Sequence, residues 1–172
     1  LHVDPNVGVG RIGLRDGVTM AAVFDFDLVI LGHGGHAARP HTAVDAIVTA
    51  AEVIDSVQKV VSREIDPISP VVVTFGKIAG GAARNVIADR VTLTGTARTL
   101  SAATARRVPA LIRRTVSGVC RARGAHFEMH EIAWYPVLRN DAGVNRLFAR
   151  NFERLFPPGS IETTELVLGG ED

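Results

Sequence analysis

Apolar residues recur at every second position over Phe24, Phe26, Leu28 and Ile30, with Asp25 and Asp27 between the first three. A period of two predicts a strand with one buried face. The run Gly32-His33-Gly34-Gly35-His36 ends it. Pro40-His41-Thr42 leads into a helix, with Thr42 as the expected N-cap and Asp45 three residues on. Val44, Ile47, Val48, Ala51, Ile54, Val57 and Val61 mark one helical face through about Arg63. After Pro67 and Pro70, the β-branched stretch 71–78 predicts a second strand. Gly80-Gly81 opens a loop that contains Arg84-Asn85, and 91–98 predicts a third strand. Ser101 caps a second helix through about Arg123, with Val108, Leu111, Ile112, Val116 and Val119 apolar. Pro109 is expected to kink that helix or delay its start, and Gly124 to end it. His126–Ile132 alternates again as a fourth strand.

The order β-α-β-β-α-β over residues 21–133 predicts an α+β fold of the ferredoxin-like kind. In it, four antiparallel strands carry two helices on one face. Outside this unit the pattern changes. Residues 1–20 read as loop, punctuated by Pro5, Gly8, Gly10, Gly13 and Gly17. A third helix is expected around Val144 to Phe156, and a strand near Leu166-Val167-Leu168. The flanks 1–20 and 134–172 therefore read as orphaned parts of a different domain. The start at Leu1-His2 and the stop at Gly169-Gly170-Glu171-Asp172 give the expectation of a piece of a longer polypeptide.

Composition narrows the function classes. At 172 residues, 47% apolar and 22% charged, the chain is an ordinary globular one, neither disordered nor fibrous. No apolar run approaches the ~20 residues that a membrane-crossing helix needs. Cys120 is the single cysteine, which removes the disulfide-stapled secreted class. With no basic-then-apolar leader, the expectation is a cytoplasmic protein. Nineteen basic against eighteen acidic residues leave a net charge of +1, so no global nucleic-acid or membrane footprint exists.

Four clusters could carry chemistry. Gly8-Val9-Gly10-Arg11-Ile12-Gly13 has the letters of a dinucleotide fingerprint, but Pro5 precedes it and a turn follows, where the fingerprint needs a strand and a helix. It reads as a turn. Arg106, Arg107, Arg113, Arg114, Arg121 and Arg123 load the second helix without aromatic residues to stack bases, so a solvated face is the simpler reading. His126, Glu128 and His130 share a strand face; they could ligate a metal, but an exposed edge strand explains them as well. The densest segment is Gly32 to His41, where three histidines and Arg39 precede a helix. It lacks a nearby carboxylate or thiolate for a metal set. Hydrogen bonding to a substrate carbonyl or carboxylate suits it better.

Several segments together resemble a known family. Leu1-His2-Val3-Asp4-Pro5, Gly34-Gly35-His36-Ala37-Ala38-Arg39-Pro40-His41, Gly80-Gly81 with Asn85-Val86-Ile87, Gly95-Thr96-Ala97-Arg98-Thr99, Tyr135-Pro136 and Gly169-Gly170-Glu171-Asp172 stand in its order and spacing. The chain is similar, over nearly its whole length, to the amidohydrolase subfamily of dimetal metallopeptidases, which includes hippurate hydrolase and N-acyl-amino-acid amidohydrolases. The resemblance implies a lid, or dimerisation, domain over 21–133, inserted into an α/β catalytic domain of which 1–20 and 134–172 are fragments. It implies a homodimer through the lid, an N-acyl amino acid or small peptide substrate, and two divalent metal ions of the Zn, Mn or Co class. Residue by residue, His2 matches a metal ligand. His36 matches a lid histidine that stabilises the oxyanion in the partner's active site, and Asn85 a substrate-binding asparagine. Arg98 is matched to the substrate carboxylate. Ala88 stands where the family usually has proline. The upstream metal segment, the paired glutamates and the last metal histidine are not in the chain, so it is expected to be inactive alone. A non-catalytic dimerisation or ligand-binding module is the alternative reading.

Overall fold

The structure, a computed structural model, describes residues 3–170. Two short strands, β1 (Ile12–Leu14) and β2 (Gly17–Met20), precede the long strand β3 (Ala22–Leu31). The two-residue strand β4 (Gly35–His36) and a single 3-10 turn at Pro40–Thr42 lead to helix α1 (Ala46–Glu64). Then come β5 (Val71–Gly80), the short β6 (Val86–Ile87), β7 (Arg90–Thr99), α2 (Ala102–Arg123) and β8 (His126–Tyr135). The chain ends through β9 (Leu138–Asn140), α3 (Ala142–Phe152) and β10 (Ile161–Thr163).

The four long strands form one antiparallel sheet in the order β5-β7-β3-β8. With α1 and α2 packed on one face, this is the expected α+β ferredoxin-like arrangement. The alternation in β3 decides which face is covered. Phe24, Phe26, Leu28 and Ile30 turn to the helices and meet Val53, Val57 and Val60 of α1 and Val108, Ile112 and Val116 of α2. Phe26 lies edge-on to Phe75, with ring centroids 5.8 Å apart. Across the sheet its ring occupies the space over Gly95, where a Cβ would come within 2.6 Å of it. Asp25 and Asp27 turn to the other face, level with Thr96 and Thr94. No helix among the described residues is long and apolar enough to cross a membrane.

The first helix begins later than its sequence predicts. Thr42 closes the 3-10 turn, and its hydroxyl donates to the Arg39 carbonyl. Val44 is then held extended by a two-way backbone bridge to His33, so helix cannot start before Asp45. The Asp45 carboxylate is the N-cap and accepts from the Ile47 and Val48 N–H groups. Asp45→Ala is expected to lower unfolding stability by about 1 kcal/mol in denaturant titration, and Asp45→Asn by far less. Pro109 does not delay α2, which starts at Ala102 on the Ser101 cap and runs through to Gly124 at φ 71°. Arg114 and Arg123 of α2 reach Glu64 and Glu52 of α1, so part of the arginine face is paired along the helix–helix seam.

The flanks hold more strand than their glycines announce. β1 pairs in parallel with β10, and β2 antiparallel with β9. The strand expected at Leu166–Leu168 is absent; the pairing segment is Ile161–Thr163. The stretch Gly8–Gly13 is a turn at Gly8–Arg11 that runs straight into β1, with no helix after it. α3 stops at Phe152, and the Phe152 carbonyl accepts turn bonds from Leu155 and Phe156. At its other end Asp141 caps it. The N–H groups of Val144 and then Gly143 hold the Asp141 carboxyl below its ordinary pKa.

Candidate functional site

The glycine-histidine loop is built by backbone pairing with a loop fifty residues away. β4 lies antiparallel to β6, with Gly35 opposite Ile87 and His36 opposite Val86. The Ala37 N–H donates to the Asn85 carbonyl at 3.0 Å, which sets the two family-matched residues side by side. Further bonds hold the base of the loop: Gly32 N–H to the Asp89 carbonyl at 2.7 Å, and Ala46 N–H to the Ala88 carbonyl at 3.0 Å. Gly32 has to be glycine here, because a Cβ would sit 2.1 Å from the Val44 carbonyl oxygen. Exposed polar side chains thus stand on a backbone with few ways to move.

His36 is the most informative of them. Its Nδ1 accepts the Ala38 N–H at 3.1 Å. A ring nitrogen that accepts carries no proton, so the neutral imidazole must carry its proton on Nε2. The ring therefore offers an exposed N–H donor. That donor suits an oxygen that gains negative charge. Asn85, also exposed, offers both an amide donor and an acceptor beside it. His33, Arg39 and His41 are exposed on the same loop, and the backbones of His33 and Arg39 close its turns.

Arg98 lies elsewhere. The sheet register puts Arg90 opposite Leu31, at the His36 end, and Arg98 opposite Val23, at the other. The stretch of β7 between them is about 27 Å at roughly 3.4 Å per residue. One chain therefore brings His36 and Asn85 together but not Arg98 with them. At its own end the Arg98 Nε donates to the Thr96 Oγ1 at 3.2 Å, and the Thr96 hydroxyl donates to Asp25. Sequence reasoning missed Asp25 and Thr96. The available signal was an aspartate placed between two core phenylalanines of a strand, where aspartate is disfavoured.

His2, the expected metal ligand, lies outside the described residues. Among the described residues no group of three or more His, Cys, Asp or Glu gathers to hold a metal. They do not fit a dimetal centre by themselves. His126, Glu128 and His130 sit exposed on β8, an edge strand, with the His130 Nε2 3.6 Å from the Glu128 carboxylate.

The fold has known relatives. The family model of a peptidase dimerisation domain matches residues 22–123. An N-acetyldiaminopimelate deacetylase of Enterococcus faecalis is 39% identical over 83% of this chain and 38% of its own length. An N-acetylcysteine deacetylase of Bacillus subtilis is 36% identical over 82% of this chain and 37% of its own. The crystal structure of a dinuclear metal-binding peptidase of the M20 family from Bacillus subtilis superimposes with a TM-score of 0.74, at 27% identity, over 98% of this chain and 41% of that one. The chain thus spans well under half the length of these relatives.

Proposed function

The chain belongs to the M20 family of peptidases, whose dimerisation domain it carries, and from that premise we propose that it forms the lid and adjoining segments of a metal-dependent amidohydrolase. The reaction is hydrolysis of the amide bond of N-acyl amino acids. Residues 21–133 are the lid, and 1–20 and 134–172 belong to the catalytic domain. The observation that carries the reading is the hydrogen bond from the Ala38 N–H to His36 Nδ1, which leaves Nε2 as the free donor of an exposed ring beside Asn85. Its role is to donate to the scissile carbonyl oxygen as charge develops there. Asn85 binds the substrate, and Arg98 pairs with the substrate carboxylate through its planar fork. The separation of Arg98 from His36 fits a homodimer in which His36 serves the partner's site and Arg98 its own. Two divalent ions of the Zn, Mn or Co class are held by the remainder of the protein together with His2, and without that remainder this chain is inactive.

The full-length protein is expected to release free amine from N-acetyl amino acids, to lose this activity on chelation, and to regain it with a divalent metal. Failure to hydrolyse any N-acyl amino acid with metal restored would sink the amidohydrolase reading and leave the non-catalytic dimerisation module.

The edge strands differ in what they offer a second copy. β8 presents His126, Glu128, His130 and Glu131 over its first six residues and exposes Ile132, Trp134 and Tyr135 beyond them; the two glutamates discourage pairing along the first part. β5 carries Lys77 as its one charged residue, between the exposed Val72 and Ile78. The second copy pairs at β5. Val72→Lys with Ile78→Lys is expected to shift the protein to monomer in sedimentation velocity, and Glu128→Lys to leave the dimer intact. The reverse pattern assigns the interface to β8.

A further inference from the structure

The outer face of the sheet carries a directional hydrogen-bond chain that the roles above do not use. Thr96 and Arg98 are two apart on β7 and share that face. Asp25 stands directly opposite Thr96 on β3. A guanidinium can only donate and an ionised carboxylate can only accept. A hydroxyl does both, so Thr96 between them fixes the direction: Arg98 Nε–H to Thr96 Oγ1 at 3.2 Å, then the Thr96 O–H to Asp25. On its β8 side Asp25 faces Ala133, because the register slips between Asp25 and Phe26. The slip puts a methyl group beside the carboxylate on that side. All three residues are half-buried.

The chain occupies the Nε edge of Arg98 and leaves the guanidinium held in one plane. The Nη1 corner is aimed at the returning C-terminal segment, where a Cβ on Gly170 would lie 3.0 Å from it. That segment is itself tied back, since the Ala21 N–H donates to the Gly169 carbonyl at 2.9 Å. A long flexible arginine loses most of its rotamer freedom here before any ligand arrives, which is the condition for tight anion recognition at low entropic cost.

We propose that Asp25 and Thr96 are positioning residues that lock the Arg98 guanidinium, so that its Nη edge meets the carboxylate of an N-acyl amino acid. The inference rests on the assignment of Arg98 to the substrate carboxylate, and its test separates the two. In the full-length enzyme, KM and kcat are measured for an N-acetyl amino acid and for its carboxamide. Thr96→Val keeps the shape and removes both hydrogen bonds. It is expected to raise KM for the acid by about tenfold, the ordinary worth of a hydrogen bond to a charged group. Its kcat and its KM for the carboxamide should stay near wild type. Thr96→Ser restores the preference for the acid. Should Thr96→Val not fold, Thr96→Ala gives the same reading. Equal losses on both substrates, or no loss on either while Arg98→Ala abolishes the preference, overturn the positioning role. An Arg98→Ala enzyme that keeps the full preference overturns the assignment of Arg98 on which that role rests.

Discussion

In the full-length enzyme, His36→Ala is expected to lower kcat by about 10²–10³, with bound metal unchanged. The size follows from what is removed. The ring is held by the Ala38 N–H on Nδ1, so in the proposed reaction its Nε2 donor is already oriented when the carbonyl oxygen acquires charge. Alanine leaves the β4–β6 backbone pairing intact, so the loop and Asn85 stay in place. His2→Ala should show the opposite order, with metal lost first and activity lost as a consequence. Mixing the two inactive variants provides a sharper test. If His36 acts across the dimer, a heterodimer contains one site with both groups, and part of the activity returns. Loss of metal from His36→Ala, or a kcat that stays put, removes His36 from the oxyanion role.

Phe26→Ala is expected to cost about 3–5 kcal/mol in denaturant unfolding. Domains of ordinary stability have only about 5–15 kcal/mol in total. Phe26 is fully buried, stacks on Phe24 with centroids 5.3 Å apart, and meets Phe75 edge-on. The neighbour on β7 is Gly95, which has no side chain to move into the vacated space. The cavity therefore stays open, and the cost falls toward the upper end. The double variant Phe26→Ala with Gly95→Ala should recover part of the loss, since the added methyl enters the hole.

How much of this was legible in the sequence depends on the range of the interaction. The alternation of Phe24, Phe26, Leu28 and Ile30 is local, and it set the buried face of β3 and the α+β order directly. The start of α1 was misplaced at Thr42 because the bridge between His33 and Val44 is a tertiary contact that keeps the helix from forming earlier. β1, β2, β9 and β10 went unseen or were misplaced because strands of three or four residues show no periodicity, and their partners lie far along the chain. In the candidate site, His36 and Asn85 stood out by residue type and resemblance. That they are neighbours depends on the pairing of two-residue strands, which no spacing reveals. The chain from Arg98 to Asp25 depends on the register between β3 and β7, set by the entire sheet.

Val23 pairs with Tyr135, and just beyond them Met20 pairs with Leu138 and Gly17 with Asn140. The chain thus enters and leaves the four-stranded unit along one two-stranded ribbon. Paired residues in antiparallel strands sit only about 4.5–5.5 Å apart. To the rest of the polypeptide, more than a hundred residues occupy the place of a hairpin turn. Joining two flanking segments through such a unit costs little chain entropy, because the folded unit holds its own ends together. On the proposed division of the chain, a gene can therefore acquire, lose or exchange this cassette without the surrounding fold having to change its path.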